Sequence, residues 1–421
     1  MKGWQKMKKF ATLTITLFAI FALCTSAALA EIGKHKIGGN TLLLYSLGYE
    51  GESNDNIYRG AGTNNTTERV AADWINHIKP AVMFDYTIAG RGDIKFGYKG
   101  DLAYYNTENL NDWQKHIGAF DLNYRSPAGL LAGLKNVYTD TSDPYSNDAD
   151  YLNASTEQVK RWLNRLNAKL GYTKLGDKFG VIGYYNYYIQ DYENKVRDFS
   201  QDYNEHEIGA GGEMAVMTKT FAFLRYHYGT RDYTTEATLV NDSNDSDYTW
   251  HRVNGGLGWD SGAKWSGELN LGYAWKNYEN EIDSLGSPYE DRNTWIAFTD
   301  VNFQATQATS VGGILRRELK ETGSNTNEYN VETQIGLDVS HTVIEKVILG
   351  MGYAYQENDY NTSTNGIKRD DKVHDFDISA DYMIQPWLTA GLEYVFKSRD
   401  STVNEYDYDQ NRIFVRLTGG F

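Results

Sequence analysis

Cysteine is almost missing from this sequence. The single cysteine among 421 residues, Cys24, lies in an N-terminal leader. Without it the chain forms no disulfide, no thiolate metal site and no covalently attached haem. Proline is also scarce, with five residues. Four of them, Pro127, Pro144, Pro288 and Pro386, fall in segments interpreted below as connections, as expected where interior strands need every backbone donor.

Long hydrophobic runs are missing after residue 30, where no stretch reaches the roughly 18 apolar residues of a membrane helix. The apolar run over residues 10–24 follows four lysines and precedes Ala28-Leu29-Ala30, which are the features of a cleaved signal peptide. Leu23 stands where a lipoprotein signal would have a small residue before Cys24. We therefore predict a signal peptide over residues 1–30 and a single mature unit over residues 31–421.

Basic residues are fewer than acidic ones, with 41 Lys and Arg against 56 Asp and Glu. Loss of the four leader lysines changes the formal net charge from -15 to -19, and this acidity argues against nucleic acid as a partner. The eight histidines are scattered singly, with no Gly-x-Ser-x-Gly or His-Glu-x-x-His pattern. We predict a protein that is not an enzyme and binds no cofactor.

Alternation with a period of two is the main positive signal. From residue 265 to residue 275 the odd positions read Trp, Gly, Leu, Leu, Tyr and Trp, and the even positions read Ser, Glu, Asn, Gly and Ala. Successive strand side chains point to opposite faces, so this segment has one apolar face with aromatics at both ends and one polar face. The same pattern recurs at residues 93–104, 331–339 and 375–384.

About 18 such segments of about 10 to 14 residues are long enough to cross a bilayer when tilted. They predict an all-β fold, a transmembrane antiparallel up-and-down β-barrel of about 18 strands, with 16 strands as the alternative. The first strand is expected near residues 41–49 and the last near residues 412–421. An even count places both termini on one side, the periplasm. Residues 157–170 also fit an amphipathic helix, but the strand interpretation is favoured.

Short and long connections alternate along the chain. The eight tight turns are expected to face the periplasm and the nine long loops to face the outside of a Gram-negative cell. The short connections include residues 90–92, 126–129, 175–178, 261–264 and 385–386, and the long ones include residues 143–150, 191–205, 232–247, 279–291 and 398–407.

The expected outer face carries aromatic side chains, which we interpret as lipid-interface belts rather than sugar-stacking platforms. The last strand ends on Phe421, a terminal aromatic of the kind that outer-membrane assembly machinery recognises. The expected partners are therefore the outer membrane with its lipopolysaccharide and this assembly machinery. The belt residues are Tyr45, Tyr49, Tyr98, Trp265, Trp275, Trp295 and Tyr353.

The expected inner face carries charges of both signs. Mixed charge either lines a water-filled channel and sets weak selectivity, or fills the interior with ion pairs. Channel lining is favoured, because barrels of 16 to 18 strands usually leave an aqueous passage. Which loop narrows that passage is left open. The lumen-lining candidates are Lys95, Lys99, Asp101, Arg165, Lys169, Arg225, Glu268, Arg316, Glu332, Asp338, Asp375, Asp377, Glu393 and Arg416.

An acidic run over residues 241–247 offers Asp242, Asp245 and Asp247 as weak metal candidates. Hard cations such as Ca²⁺ prefer several carboxylate oxygens, but the run lacks the glycine and the closing glutamate of an EF-hand. A solvated acidic loop is the favoured interpretation. Acids on the long loops would either hold divalent ions that bridge to lipopolysaccharide or concentrate cations at the pore mouth.

The segment Ser-Asn-Asp-Asn-Ile-Tyr-Arg over residues 53–59 resembles the Asp-Asn-Ile/Val-Tyr signature of the family called putative β-barrel porin type 2. Further similarities lie within residues 40–145: Gly100-Asp101 with Tyr104-Tyr105, Asn111-Asp112 with His116, the Ser-Pro-Ala-Gly-Leu of residues 126–130, and the Thr-Ser-Asp-Pro of residues 141–144. The resemblance implies an outer-membrane barrel, often encoded with exopolysaccharide genes, that serves polysaccharide export or general diffusion. It supplies no catalytic residues.

Three functions remain in competition. The leading hypothesis is a porin-like channel for passive diffusion of small hydrophilic solutes, with a cation preference because the long loops are acidic. The alternative implied by the resemblance is an accessory or conduit barrel for exopolysaccharide export. The third is a barrel sheath around a multihaem cytochrome in an outer-membrane electron conduit. Assembly into a homo-oligomer is compatible with each of them.

Overall fold

The computed structural model describes residues 34–37, 39–62, 70–143, 160–173, 178–193, 202–233, 247–259, 264–279, 291–321, 329–364 and 367–420. The expected signal peptide and Phe421 lie outside these residues. Among the described residues, no helix has the length and apolar character needed to cross a membrane.

Nineteen strands and two short 3-10 helices make up the described chain. The strands are β1 (Lys34–Lys36), β2 (Thr41–Asn54), β3 (Asp73–Thr87), β4 (Gly92–Tyr105), β5 (Trp113–Arg125), β6 (Leu130–Thr141), β7 (Arg161–Thr173), β8 (Phe179–Tyr192), β9 (Tyr203–Met217), β10 (Thr220–Tyr233), β11 (Tyr248–Trp259), β12 (Trp265–Tyr278), β13 (Arg292–Gln304), β14 (Thr309–Glu321), β15 (Tyr329–Ile344), β16 (Val347–Thr364), β17 (Ile367–Gln385), β18 (Leu388–Ser401) and β19 (Tyr408–Gly420). The 3-10 helices are Asn109–Asn111 and Asn404–Tyr406.

The strands β2 to β19 close into a ring of 18, because each pairs antiparallel with the next and β19 pairs with β2. The closing register runs from Arg412 opposite Asn54 to Gly420 opposite Ser46. Closure leaves no strand of the ring with an unpaired edge, which is what a sheet surrounded by hydrocarbon requires. The predicted fold class and the count of 18 strands are confirmed, and the alternative of 16 strands is wrong.

Connections at the two ends of the barrel differ in length. Eight connections of two to five residues lie at one end, called here the turn end, and nine lie at the opposite loop end. The loop-end connection between β16 and β17 is only residues 365–366, because these strands run for 18 and 19 residues. At the turn end, the amide of Gly420 donates to the carbonyl of Trp387 at 2.9 Å, so the end of the last strand lies beside a tight turn.

The two faces of the wall differ as the alternation predicts. Leu47, Leu170, Leu224 and Ile335 on the outward phase are more than half exposed, whereas most inward positions are polar. The seven predicted belt aromatics all fall on the outward phase. Strand β7 covers the described part of the ambiguous segment, so the strand interpretation holds there and the helical one is wrong.

The fifth proline, Pro80, lies inside β3 on the outward phase. It faces Leu47 of β2, but no pairing with β4 is recorded between Ile78 and Ala81. Its neighbour across the strand gap is Gly100, where a Cβ would lie 3.0 Å from the Cγ of Pro80. Proline has no backbone N–H to donate. Pro80 is accommodated because the β3–β4 hydrogen bonding is interrupted at this point and the neighbouring residue is glycine.

Candidate functional site in the barrel lumen

All fourteen lumen-lining candidates lie on the inward phase of their strands. Two pairs of them meet directly. The Arg225 guanidinium donates through both Nη atoms to the Glu268 carboxylate at 2.8 Å, and Arg416 Nη1 lies 2.8 Å from Glu393 Oε2. The two-point contact between Arg225 and Glu268 holds that guanidinium plane in one orientation.

Four further candidates pair with inward charges that the sequence analysis did not single out. Such pairs form because a strand places every second side chain beside a neighbour on the adjoining strand. They are Lys95 with Asp93 at 3.5 Å and Asp85 at 3.9 Å, Asp101 with His77 at 2.8 Å and Lys79 at 3.9 Å, Glu332 with Lys320 at 2.9 Å, and Asp375 with Lys397 at 3.4 Å.

The remaining six candidates are Lys99, Arg165, Lys169, Arg316, Asp338 and Asp377, and the structure brings no two of them into a described contact. Arg165 packs over the ring of Tyr188, with its guanidinium carbon 4.5 Å from the ring centroid. Lys169 on β7 and Asp338 on β15 are exposed. Since β7 and β15 stand eight strands apart in the ring of 18, these two charges face the lumen from nearly opposite walls.

The connection after β2 folds into the lumen at the loop end. Its residues Ile57, Tyr58 and Arg59 are only 1%, 4% and 3% exposed. Ile57 and Tyr58 belong to an apolar cluster with inward side chains of β3, β4 and β5, including Ile75 and Trp113. The segment that resembles the family signature is therefore the inward-folded part of this loop, and it takes up space in the lumen at the loop end.

Polar contacts tie this segment to the seam between the first and last strands of the ring. The Nδ2 of Asn56 donates to the carbonyls of Gly60 at 3.0 Å and Asp409 at 2.9 Å. The Nε2 of Gln410 donates to the Asn54 Oδ1 at 3.0 Å and to the Asn56 carbonyl at 2.7 Å. The inward loop thus bridges β2 and β19, where closure joins residues far apart in sequence.

The connection between β4 and β5 covers Tyr58 from the other side. The Tyr58 hydroxyl donates to Glu108 Oε2 at 2.9 Å and accepts from the Nδ2 of Asn111 at 3.0 Å. Asp112 accepts from the amide of Tyr105 at 2.7 Å. The Asn-Asp motif of the resemblance therefore holds the connection that packs against the signature segment.

A second inward connection, between β18 and β19, completes the loop-end layer. Tyr406 and Tyr408 are each 4% exposed. Arg369 lies between Tyr360 and Tyr406, at 4.3 and 3.4 Å from their ring centroids, and its Nη2 lies 2.6 Å from Asp371 Oδ2. Near the seam, at the loop end, buried tyrosine rings with an arginine over them and an ion pair therefore occupy the interior, in agreement with the second of the two interpretations of mixed inward charge.

A polar network lies on the inward faces of β2, β3 and β4. His77 is 2% exposed, with its Nδ1 at 2.8 Å from Asp101 and its Nε2 at 3.5 Å from Glu52. Lys79 Nζ lies 2.5 Å from Glu50 Oε1. Burial of these groups is tolerated because each charge has a partner of opposite sign.

Four other histidines face outward, each with a tyrosine hydroxyl on the preceding strand. The oxygen-to-Nδ1 distances are 2.7 Å for Tyr98 and His116, 3.0 Å for Tyr185 and His206, 2.7 Å for Tyr226 and His251, and 2.9 Å for Tyr353 and His374. The histidine is not directly opposite the tyrosine. In each pair it lies two residues further along the next strand, towards the loop end. Polar pairs on aromatic rings suit the border between hydrocarbon and headgroups.

Of the weak metal candidates, Asp242 and Asp245 lie outside the described residues, while Asp247 lies immediately before β11. The Asp247 carboxylate accepts from the amide of Tyr233, closing the β10–β11 hairpin at the loop end. Across the described chain no group of three or more His, Cys, Asp or Glu residues is arranged to hold a metal ion.

One inward feature was missed by the sequence analysis. Strands β8 to β11 carry aromatic side chains on the inward phase, whereas the described parts of β2 to β7 carry only Tyr105 and Trp113 there. The spacing of Tyr184 and Tyr188, four residues apart, was a usable signal, but outward tyrosines between them obscured it. We call the set the aromatic wall, and it comprises Phe223, Tyr184, Tyr188, Trp250, Tyr203 and Tyr248.

A closed antiparallel barrel with an apolar outer face and a charged lumen defines a transmembrane barrel of the porin class. The family model described as "Putative beta-barrel porin 2" matches residues 39–421. The chain therefore belongs to this family, which confirms the resemblance carried by residues 53–59. Porins are outer-membrane transport proteins rather than enzymes, so the chain is assigned to that membrane and to transport.

No curated protein sequence matches this chain. Among solved structures, OpdO of Pseudomonas aeruginosa is 13% identical, with 90% of this chain and 97% of that chain covered and a TM-score of 0.47. OccK2 (OpdF) of the same organism is 12% identical, with 90% and 98% covered and a TM-score of 0.48. The FrpB iron transporter from Neisseria meningitidis is 10% identical, with 91% and 77% covered and a TM-score of 0.47.

Proposed function

We propose that the protein is a channel for passive diffusion of small hydrophilic solutes across the outer membrane, with a preference for cations. The observation that carries this proposal is the exposure of Lys169 and Asp338 on nearly opposite inner walls. Buried ion pairs fill the seam side of the lumen, but charges that remain exposed on an inward face need water beside them. An aqueous passage away from the seam supplies that water.

The cation preference is supported by the charge of the whole chain. Acids exceed bases by 15, and the excess rises when the lysine-bearing leader is removed. Charge of one sign at the mouth of a low-dielectric passage raises the local concentration of counter-ions. The proposed orientation places the turn end and both termini in the periplasm and the acidic loops outside, with Phe421 available to the assembly machinery.

Single-channel recording tests this function. Purified, refolded protein in a planar bilayer is expected to give open, ohmic channels, and a salt gradient is expected to give a reversal potential of cation-preferring sign. A chelating wash beforehand removes adventitious metal ions. A silent barrel would contradict the channel, and an anion-preferring reversal potential would contradict the selectivity.

A second candidate, a conduit barrel for exopolysaccharide export, is favoured by one observation, the concentration of inward aromatic side chains on β8 to β11 that forms the aromatic wall. Deletion of the gene is then expected to reduce surface polysaccharide without changing its composition. Unchanged surface polysaccharide in the deletion strain would remove this candidate and leave the diffusion channel in place.

A further inference from the structure

An apolar groove crosses the outer face of the barrel from β6 to β11. Its volume is about 850 Å³, within the usual range for pockets that hold small organic ligands. The groove exists because outward residues of β8 and β9 are small. An added Cβ at Gly212 would meet no other atom within 4 Å, and one at Gly183 would meet none closer than 3.8 Å. Leu170, Val181 and Leu224 border the groove and are 62%, 63% and 64% exposed.

The groove rises from the turn end towards the middle of the wall. Leu130, at its lower end, is the first residue of β6, and Val253, at its upper end, lies six residues before Trp259, where β11 ends at the turn end. Six residues span about 20 Å of strand, and a tilt of about 40° makes this a depth of about 15 Å. That depth is half of a hydrocarbon core about 30 Å thick. The groove therefore lies within the leaflet that adjoins the turn end.

The shape of the groove fits a linear hydrocarbon chain. It crosses the spacings between six neighbouring strands, each about 4.8 Å, and is therefore about 24 Å long. Because it is oblique, a straight acyl chain can lie along it without leaving one leaflet. The hydrophobic effect does not favour this position over the surrounding lipid, so selective binding requires close packing on the small residues and a contribution from the headgroup.

Basic residues at the turn end supply that contribution for an anionic headgroup. Lys178 immediately precedes β8, and Lys219 lies in the turn between β9 and β10, so both are next to strands that form the groove. Both residues are exposed. Basic residues beside a membrane surface attract anionic lipids. The described turn-end connections together carry the bases Arg91, Lys178, Lys219, Lys264 and Lys346 against the single acid Glu345.

The loop end has acidic residues on the outer face instead. Asp140, Asp232 and Asp400 are exposed on the outward phase, each one residue from the loop end of its strand. These carboxylates repel an anionic headgroup, whereas the turn end attracts one. The groove thus begins at the end of the barrel whose charge is complementary to an anionic lipid.

We propose that the groove is a binding site for an anionic phospholipid. One acyl chain lies in the groove across β6 to β11, and the lipid phosphate lies at the turn end near Lys178 and Lys219. Under the proposed orientation this lipid belongs to the periplasmic leaflet. The site is on the outer face and not in the lumen, so it goes beyond the channel function and does not rest on it.

Native mass spectrometry of the refolded barrel, released from detergent micelles, tests the site. The probes are dioleoyl phosphatidylglycerol, dioleoyl phosphatidylcholine and lipid A, each added separately in increasing amounts. We expect saturable retention of one phosphatidylglycerol molecule and weaker retention of phosphatidylcholine, which has the same chains but no net charge. Equal retention of the two phospholipids would overturn the proposal. Tighter retention of lipid A than of phosphatidylglycerol would overturn it as well.

Filling the groove should abolish retention of the lipid. Gly212→Leu places a side chain in the open space between the groove borders, and saturable retention of phosphatidylglycerol is expected to be lost. Gly313→Leu is the matched control, because Gly313 lies on the outward phase of β14 and its added Cβ also meets no atom within 4 Å. Equal retention by the two variants would overturn the proposal. Should Gly212→Leu fail to refold, Gly183→Leu on β8 gives the same test.

Neutralising the basic residues beside the groove should weaken binding of the anionic lipid alone. The double variant Lys178→Gln with Lys219→Gln is expected to bind phosphatidylglycerol about tenfold more weakly and phosphatidylcholine as before. Lys346→Gln is the matched control, since this exposed lysine lies in the turn between β15 and β16, away from the groove. Equal weakening by the control, or unchanged phosphatidylglycerol binding in the double variant, would contradict the proposed headgroup position.

Discussion

The Nε2 of Gln410 in the last strand donates to the carbonyl of Asn56, just after the first strand, at 2.7 Å. Gln410 is 0% exposed and Asn56 is 4% exposed, so water does not replace this bond readily. The contact joins the inward-folded loop to the seam, and the loop cannot leave the lumen without breaking it. The inward-folded loop and the closure of the barrel are therefore coupled at one point.

Removal of that contact should weaken the closed barrel. Gln410→Ala leaves the buried Asn54 and Asn56 oxygens without this donor, and we expect a loss of about 1–3 kcal/mol in unfolding free energy. Denaturant unfolding followed by heat-modifiable gel mobility measures the effect. Tyr394→Phe, which removes an outward hydroxyl bonded to Asn411 at 2.7 Å, is the control and should cost less.

The inward-folded loop should limit conductance. Tyr58→Ala removes a ring packed against the inner wall together with its bonds to Glu108 and Asn111. We expect a larger single-channel conductance and a stability loss of about 3–5 kcal/mol, the usual range for truncating a buried aromatic. Leu110→Ala, which truncates a side chain 74% exposed in the neighbouring connection, is the control. An unchanged conductance in Tyr58→Ala would show that the narrowest point lies elsewhere.

Arg369 and Asp371 should behave as a buried ion pair. Both side chains are 0% exposed, so Arg369→Ala takes a hydrogen-bonded guanidinium away from a buried carboxylate and leaves Arg399 as its remaining cationic neighbour; it should cost up to about 3–5 kcal/mol. The double variant Arg369→Met with Asp371→Leu removes both charges and should recover much of that loss. A double-mutant cycle compares the unfolding free energies of both single variants and the double variant. If the two single losses add up to the loss in the double variant, the two charges do not act as a pair.

Lys169 and Asp338 should set selectivity in opposite directions. Lys169→Glu should shift the reversal potential towards cations, and Asp338→Lys should shift it towards anions, because each exchanges the sign of a lumen-exposed charge. Both shifts should shrink at high salt, since the screening length falls from about 10 Å at 0.1 M to about 3 Å at 1 M. Thr249→Ala, on the outward phase of β11, should leave the reversal potential where it is.

A charged side chain introduced on the outer face should destabilise the barrel. Leu224 is 64% exposed on the outward phase of β10, and Leu224→Arg should cost up to about 2–4 kcal/mol near the bilayer midplane. Asn167→Arg, on the inward phase of β7, is the matched control and should cost little. Refolding yield and denaturant unfolding in lipid vesicles measure both. Equal penalties would contradict the assignment of faces.

Much of the fold followed from the local sequence. The alternation around Trp265 and Trp275 predicts which face of β12 is apolar, because two successive side chains of any strand point to opposite sides. Tight turns such as residues 126–129 mark where one strand ends and the next begins, and this allowed 18 strands to be counted from the sequence. Boundaries were less accurate: β8 runs to Tyr192 and β18 to Ser401, because strands extend beyond the apolar band into segments whose composition resembles loops.

The inner charges were predictable as a set but not as partners. Lys95 and Glu393 could be placed on the inward face from the period of two. Their pairing with particular residues depends on strand register, which is decided by contacts along the whole strand and not by the residues themselves. The two hydrogen bonds between Arg225 and Glu268 join β10 to β12 across the intervening strand β11, so no local sequence pattern indicates them.

The sequence by itself determined the class of protein, the number of strands and the face on which each strand side chain lies, because these follow from local alternation and turn chemistry. Only the tertiary structure decided what occupies the lumen. Ile57 is buried because Ile75 and Trp113 come from strands that closure brings beneath it. Tyr188 and Trp250 share one wall because β8 and β11 lie close in the ring. Such neighbours exist only once the barrel has closed.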